Sequence, residues 1–263
     1  MGIKIIRQQD GFTIIEISLF FAVAAMLLFT MMIGISLAVQ RQRFSDSVHS
    51  TQSFLQQQYN QTQITINNRQ IPNCTIGDVG NNRSTSGCLV LGKIVDLGLP
   101  AVGNNESQIN SYNVITSKDV PEDISGMSDI DLLNQVEPIA VKESSNDKNY
   151  SVDWGAQLTR IKDSAGSLDS ATAGADVRYI LILRSPVNGL ITTYISDDTS
   201  DMFGASSTTP LKNHIFALEN SVKACINSAD LIGAHAMLEI QPASSQDGVI
   251  TEFDTNEADQ WCN

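Results

Sequence analysis

The chain has 263 residues, four cysteines and a formal net charge of −13, with 42% hydrophobic and 17% charged residues. The first 43 residues hold Lys4, Arg7, Arg41 and Arg43 against Asp10 and Glu16, a net +2, which leaves −15 for residues 44–263. A domain that acidic repels a phosphate backbone, so direct nucleic-acid binding through its bulk charge is not expected. Residues 11–16 read Gly-Phe-Thr-Ile-Ile-Glu, and an uncharged apolar run follows from Ile17 to Val39. As a helix rising about 1.5 Å per residue the run reaches about 34 Å, enough to cross a hydrocarbon core of about 30 Å. An ordinary signal peptide has an apolar core of about 7–15 residues and a small-residue cleavage site after it. Here the run is longer and the glycine precedes it. Glu16 stands at its head. A carboxylate at the membrane centre costs about 2.5–3.5 kcal/mol, and less at headgroup level, where four residues after Phe12 would place it.

This head, Gly11-Phe12-Thr13-Ile14-Ile15-Glu16 on an apolar helix, resembles the type IV pilin family. The resemblance implies that a prepilin peptidase of the inner membrane cuts between Gly11 and Phe12 and that the new Phe12 amine is N-methylated. It implies that the mature chain polymerises through its N-terminal helix, with Glu16 facing the Phe12 ammonium of a neighbouring subunit. The partners implied are other pilins, in a homo- or hetero-polymer, the peptidase, the inner-membrane assembly platform, and membrane lipid before assembly. The implied location is a single-pass inner-membrane protein that becomes part of an extracellular filament. Many members carry a proline a little over twenty residues after the cut, where this chain has Ile33-Gly34. Gly34 weakens a helix by about 1 kcal/mol relative to alanine, which leaves local unwinding possible there, although without the proline it is not signalled. The same head serves major and minor pilins and the pseudopilins of type II secretion or competence systems. A membrane-tethered extracytoplasmic binding domain or enzyme is the reading of a different class. The large globular portion favours the pilus subunit, a structural role rather than an enzyme, with no cofactor.

Beyond the apolar run, Phe44, Val48, Thr51, Leu55 and Tyr59 recur at helical spacing among polar neighbours, and no glycine or proline interrupts the chain before Pro72. One continuous helix from about Phe12 to Gln61 is therefore predicted. The expected organisation is a leader over 1–11, an apolar helix over 12–39, an amphipathic half over 40–61 and an extracytoplasmic globular domain over 62–263. Pro72 to Gly87 reads as a loop. Cys88 to Val95, Tyr112 to Thr116, Pro138 to Lys142 and Tyr150 to Ile161 read as strands, and Ser128 to Gln135 as a short helix with Ser128 as its N-cap. Val177–Arg184 and Leu190–Ile195 flank Ser185-Pro-Val-Asn-Gly189, a strong hairpin signal. His214 to Ile226 reads as a helix, with Phe216, Val222 and Ile226 as apolar positions. His235 to Gln241 and Val249 to Phe253 read as a final pair of strands. The fold class expected is α+β, a long N-terminal helix followed by an antiparallel sheet, as the family resemblance also implies.

The four cysteines, Cys74, Cys88, Cys225 and Cys262, all follow the apolar run. An even number on a tethered domain points to disulfides in an oxidising compartment. Four cysteines allow three connectivities, and the local pairing Cys74–Cys88 with Cys225–Cys262 is the expected one. No Cys-x-x-Cys spacing exists, so no structural zinc is expected. The chain has no phosphate-binding glycine loop and no hydrolase or metalloprotease motif. His49, His214 and His235 are widely separated and read as structural. The acidic groups Asp197, Asp198 and Asp201, and Asp254, Asn256, Glu257 and Asp259, lack the spacing of a calcium loop and read as solvated. Asn82-Arg83-Ser84 and Asn149-Tyr150-Ser151 match the glycosylation sequon.

Overall fold

The structure, a computed structural model, describes residues 14–63, 90–97, 107–116, 118, 121, 123, 126–141, 148–163, 179–185, 188–196, 216–217, 221–228, 233–242, 248–253 and 262. The chain divides into two compact units, Met1–Arg43 and Phe44–Asn263. Helix α1 runs Ile14–Gln63. In the first unit it exposes apolar side chains on all sides, including Ile14, Phe20, Met26, Phe29 and Met32. It is the one helix among the described residues long and apolar enough to cross a membrane. In the second unit its face Phe44, Val48, Thr51, Leu55 and Tyr59 is buried, as the periodicity predicts, together with Ser47, Gln58 and Thr62.

Two antiparallel sheets complete the second unit. The first holds β1 (Val90–Asp96), β2 (Gln108–Thr116), β3 (Pro138–Val141), β4 (Lys148–Ser151), β6 (Tyr179–Arg184), β7 (Ile191–Ser196) and β8 (Phe216–Ala217). Its order is β3-β2-β1-β6-β7-β8, with β4 also pairing β2. The second holds β5 (Ala156–Asp163), β9 (Val222–Ser228), β10 (His235–Ile240) and β11 (Val249–Phe253), in the order β11-β10-β9-β5. One core lies among α1 and both sheets: Val48, Leu55 and Tyr59 meet Ile180, Ile182 and Ile195 of the first and Leu158, Ile226 and Leu238 of the second. Each such fully buried side chain contributes about 1.5–3 kcal/mol. A second core lies on the opposite face of the first sheet. There Tyr179, Leu181 and Leu183 of β6 pack with Leu132, Leu133 and Val136 of helix α2 (Asp129–Val136). Alternate residues of β6 thus enter different cores, which accounts for the unbroken apolar run Tyr179-Ile-Leu-Ile-Leu183.

Local chemistry sets the boundaries. Ser128 caps α2, its hydroxyl accepting from Asp131 N at 3.2 Å and donating to the Asp131 carboxylate at 2.6 Å. Glu137, in a left-handed conformation with φ 45°, closes the helix by donating its N–H to Leu133 O, and Pro138 prevents continuation. Gly92 is required in β1 because a Cβ there would collide with the Ile182 carbonyl of β6. At the β6–β7 turn Gly189 adopts φ 74°, its N–H donating to Ser185 O at 2.9 Å.

Two expectations need correction. The described residues of the expected helix His214–Ile226 are not helical: Phe216–Ala217 and Val222–Ser228 are strands β8 and β9. The 3.6 spacing of Phe216, Val222 and Ile226 is outweighed by the two-residue alternation of Val222, Ala224 and Ile226, which all face the first core between β10 and β5. The segment Tyr150–Ile161 is two strands, β4 and β5, joined through a turn at Asp153–Gly155. The remaining strand and hairpin expectations have counterparts, with β2 beginning earlier, at Gln108. The expected loop Pro72–Gly87 lies outside the described residues.

Candidate functional site

The first unit presents Glu16 in the opening turn of α1, exposed. The amino end of a helix carries partial positive charge, which favours a carboxylate there. No charged residue follows until Arg41. Two hydroxyls within the run are satisfied inside the helix: Ser18 Oγ donates to Ile15 O at 2.9 Å and Thr30 Oγ1 to Leu27 O at 2.9 Å. Such back-bonding lets a hydroxyl sit in an apolar medium without an unpaired donor. Around Gly34 a Cβ would meet nothing within 4 Å, so that turn of the helix is open.

Within the second unit, the seam between α1 and the sheets is unusually polar. Tyr59 OH lies 2.9 Å from Thr193 Oγ1, which donates to Gln241 O at 3.1 Å, so the phenol is the donor to Thr193. Thr193 N–H donates to Pro242 O at 2.8 Å, tying β7 of the first sheet to the end of β10 in the second. Ser111 Oγ donates to Gln58 Oε1 at 2.7 Å, Gln52 Nε2 to Val249 O at 2.9 Å, and Ser47 Oγ to Asp153 O at 3.0 Å. Phe54 stacks on Tyr150 with ring centroids 5.0 Å apart. Burial pushes the Tyr59 hydroxyl up to about 12, against a smaller opposing effect of Thr193. Burial likewise raises Tyr150 and Tyr194, with Asp153 and Asp129 respectively adding to the rise.

Beside this seam, His49, Gln52, Gln56, Gln57 and Asn60 line an open groove of about 530 Å³ on the outer face of α1. His49 lies against the Phe253 ring, centroids 5.2 Å apart, and His235 Nδ1 lies 2.8 Å from Asn227 Oδ1. Among the described residues no group of three His, Cys, Asp or Glu side chains is placed to hold a metal.

Cys225 and Cys262 form a disulfide with Cα atoms 5.5 Å apart, which fastens residue 262 to β9. Gly11, Phe12, Cys74, Cys88, His214, Asn82 and the acidic groups at 197–201 and 254–259 lie outside the described residues; Asn149 is exposed on β4. Sequence reasoning missed the buried polar positions Ser47, Gln58 and Thr62. Their signal was present in the spacing Ser47, Thr51, Leu55, Gln58, Thr62, which repeats the apolar stripe but was masked by the glutamine-rich composition around it. It also missed Trp154. No protein-family model, curated protein or solved structure matches the chain.

Proposed function

We propose that the chain is a structural subunit of a type IV pilus, cut between Gly11 and Phe12 by prepilin peptidase, N-methylated on Phe12 and polymerised through α1. The observation that carries this reading is one continuous sequence arrangement. The Gly-Phe-Thr-Ile-Ile-Glu head precedes an apolar, exposed helical segment, and the same helix then enters an antiparallel α+β unit through a buried stripe. The exposed segment suits lipid before assembly and a bundle of like helices afterwards. In both settings the apolar surface leaves water, at about 25 cal/mol per Å².

Glu16 supplies the selectivity. In a bundle of apolar helices a carboxylate without a partner is costly, and a subunit out of register leaves both charges unpaired. The partner is the Phe12 ammonium of the adjacent subunit, so addition in the right register is favoured over slipped addition. Before assembly the chain sits in the inner membrane, where the assembly platform receives it.

The experiment is Glu16→Ala in the native host, scored for processing, membrane level and presence in sheared filaments. Processing should proceed and the membrane level should hold, since a charge has been removed from an apolar segment. Filament incorporation should fall at least tenfold, as expected for a lost contact of about 1.4 kcal/mol or more. Incorporation equal to wild type would show that Glu16 merely marks the edge of an anchor. A drop in membrane level large enough to account for the whole defect would also defeat the assembly role.

A further inference from the structure

Asn188-Gly189, at the tip of the β6–β7 hairpin, is the only Asn-Gly pair in the sequence, and both residues are exposed. Such a pair holds the parts of a hydrolysis that needs only water. Base takes the proton of the Gly189 nitrogen, which then attacks Cγ of the Asn188 side chain. A five-membered imide forms as the Cγ–Nδ2 bond breaks. The proton returns to the leaving nitrogen, which departs as ammonia. Water then opens the imide at either carbonyl and leaves aspartate or isoaspartate at position 188. Glycine favours the reaction, because no side chain shields the attacking nitrogen and the backbone turns freely.

The folded hairpin holds the reacting atoms. Gly189 N–H donates to Ser185 O at 2.9 Å, so the proton that must leave is already in a hydrogen bond. Asn188 Oδ1 accepts from Leu190 N at 2.8 Å, which pins the amide that must swing onto Gly189. Arg184 Nε donates to Gly189 O at 3.3 Å, and Ser185 N donates to Leu190 O at 2.8 Å. The Ser185 hydroxyl accepts from Asn188 N at 3.3 Å and donates to the Asp129 carboxylate, which ties the tip to the first turn of α2. The exposed pair is therefore reactive by sequence and restrained by its turn.

We propose that Asn188 is a deamidation site whose rate is set by the opening of this turn. Hydrogen exchange at Gly189 begins with loss of the same proton, so the two reactions share one gate. Loop tips open at little cost in free energy. Where closing outpaces the chemistry, both rates follow the population of the open turn. Isoaspartate lengthens the main chain by one carbon between Ser185 and Leu190, whose hydrogen bond closes the hairpin. The product is thus a covalent record that the tip has opened, and it hinders the tip from closing again.

The test incubates the full chain in lipid nanodiscs at mildly alkaline pH, beside the same chain in guanidinium. Peptide mass mapping follows aspartate and isoaspartate at 188, and amide exchange gives the protection of Gly189. The folded chain should deamidate at 188 at least about tenfold more slowly than the denatured one. That factor should match the Gly189 protection within about threefold. Ser185→Ala, which removes the hydroxyl link from Asn188 to Asp129, should raise the folded rate and lower the protection together, with the denatured rate unchanged. Arg184→Gln, which removes the contact to Gly189 O, serves the same purpose should the first variant fail to fold. Equal rates in folded and denatured chains overturn the gate. No product at 188 in the denatured chain overturns the site. A variant whose Gly189 protection falls while its folded deamidation rate stays at the wild-type value overturns the shared opening.

Discussion

Tyr59 shows how one residue ties the second unit together. It is a stripe position of α1, fully buried, yet its hydroxyl donates to Thr193, which in turn donates to Gln241. Helix, first sheet and second sheet thus share one short hydrogen-bonded chain, and breaking a link removes a buried hydrogen bond. Burial holds the Tyr59 hydroxyl at about 12 in the fold, against about 10 in an unfolded chain. The folded state therefore keeps a proton that the unfolded state loses. The resulting stability is fully present below pH 10 and is lost as the pH rises toward 12. Between about pH 9 and pH 11 this one residue should remove about 1 kcal/mol of unfolding free energy. Tyr59→Phe should cost about 1 kcal/mol at neutral pH, because Thr193 keeps its bond to Gln241 but loses the phenol. The variant should also show a shallower decline above pH 9 than wild type. Urea unfolding midpoints of the unit Phe44–Asn263 at the two pH values check both, and parallel declines would place the alkaline sensitivity elsewhere, Tyr150 and Tyr194 being the next candidates.

At the scale of elements, the Cys225–Cys262 disulfide closes a sequence separation of 37 across β9, β10 and β11. In the loop-entropy model such a loop contributes about 4 kcal/mol. Cys225→Ser with Cys262→Ser should therefore lower the urea midpoint markedly and loosen β9 to β11 first, seen as faster amide exchange at Ala236 to Ile240. Equal exchange in variant and wild type would mean that Met237, Leu238 and their neighbours hold the sheet without the staple. Sequence made some elements plain and concealed others for physical reasons. The α1 stripe was legible because one face packs and the other is wet, so the period shows. The β6–β7 hairpin was legible because Gly189 needs φ 74° and marks its turn. Strand β9 was not. Its central place buries both faces, so the alternation of Val222, Ala224 and Ile226 is blurred by the buried Cys225 between them, and a run of that length fits a helix equally well. The split of Tyr150–Ile161 was hidden because the turn is made by Trp154 in a left-handed conformation, for which no sequence rule offers tryptophan.

On the scale of the whole molecule, the chain combines two units with different demands. Among the described residues the first unit is an apolar helical surface with one carboxylate, Glu16, at its head; the second is a folded α+β body with its own two cores. The long apolar helix of the first unit was readable from the uncharged run Ile17–Val39, whereas the polar seam and Trp154 in the second unit emerged only once strands distant in sequence were brought beside α1. The central claim is that the head motif is processed and used, and the most direct test is intact-mass analysis of the protein recovered from the membrane and from filaments of its native host. The account predicts a chain that lacks residues 1–11, begins at Phe12 and carries one added methyl group. A chain that still begins at Met1, or one that begins beyond Val39, would contradict it.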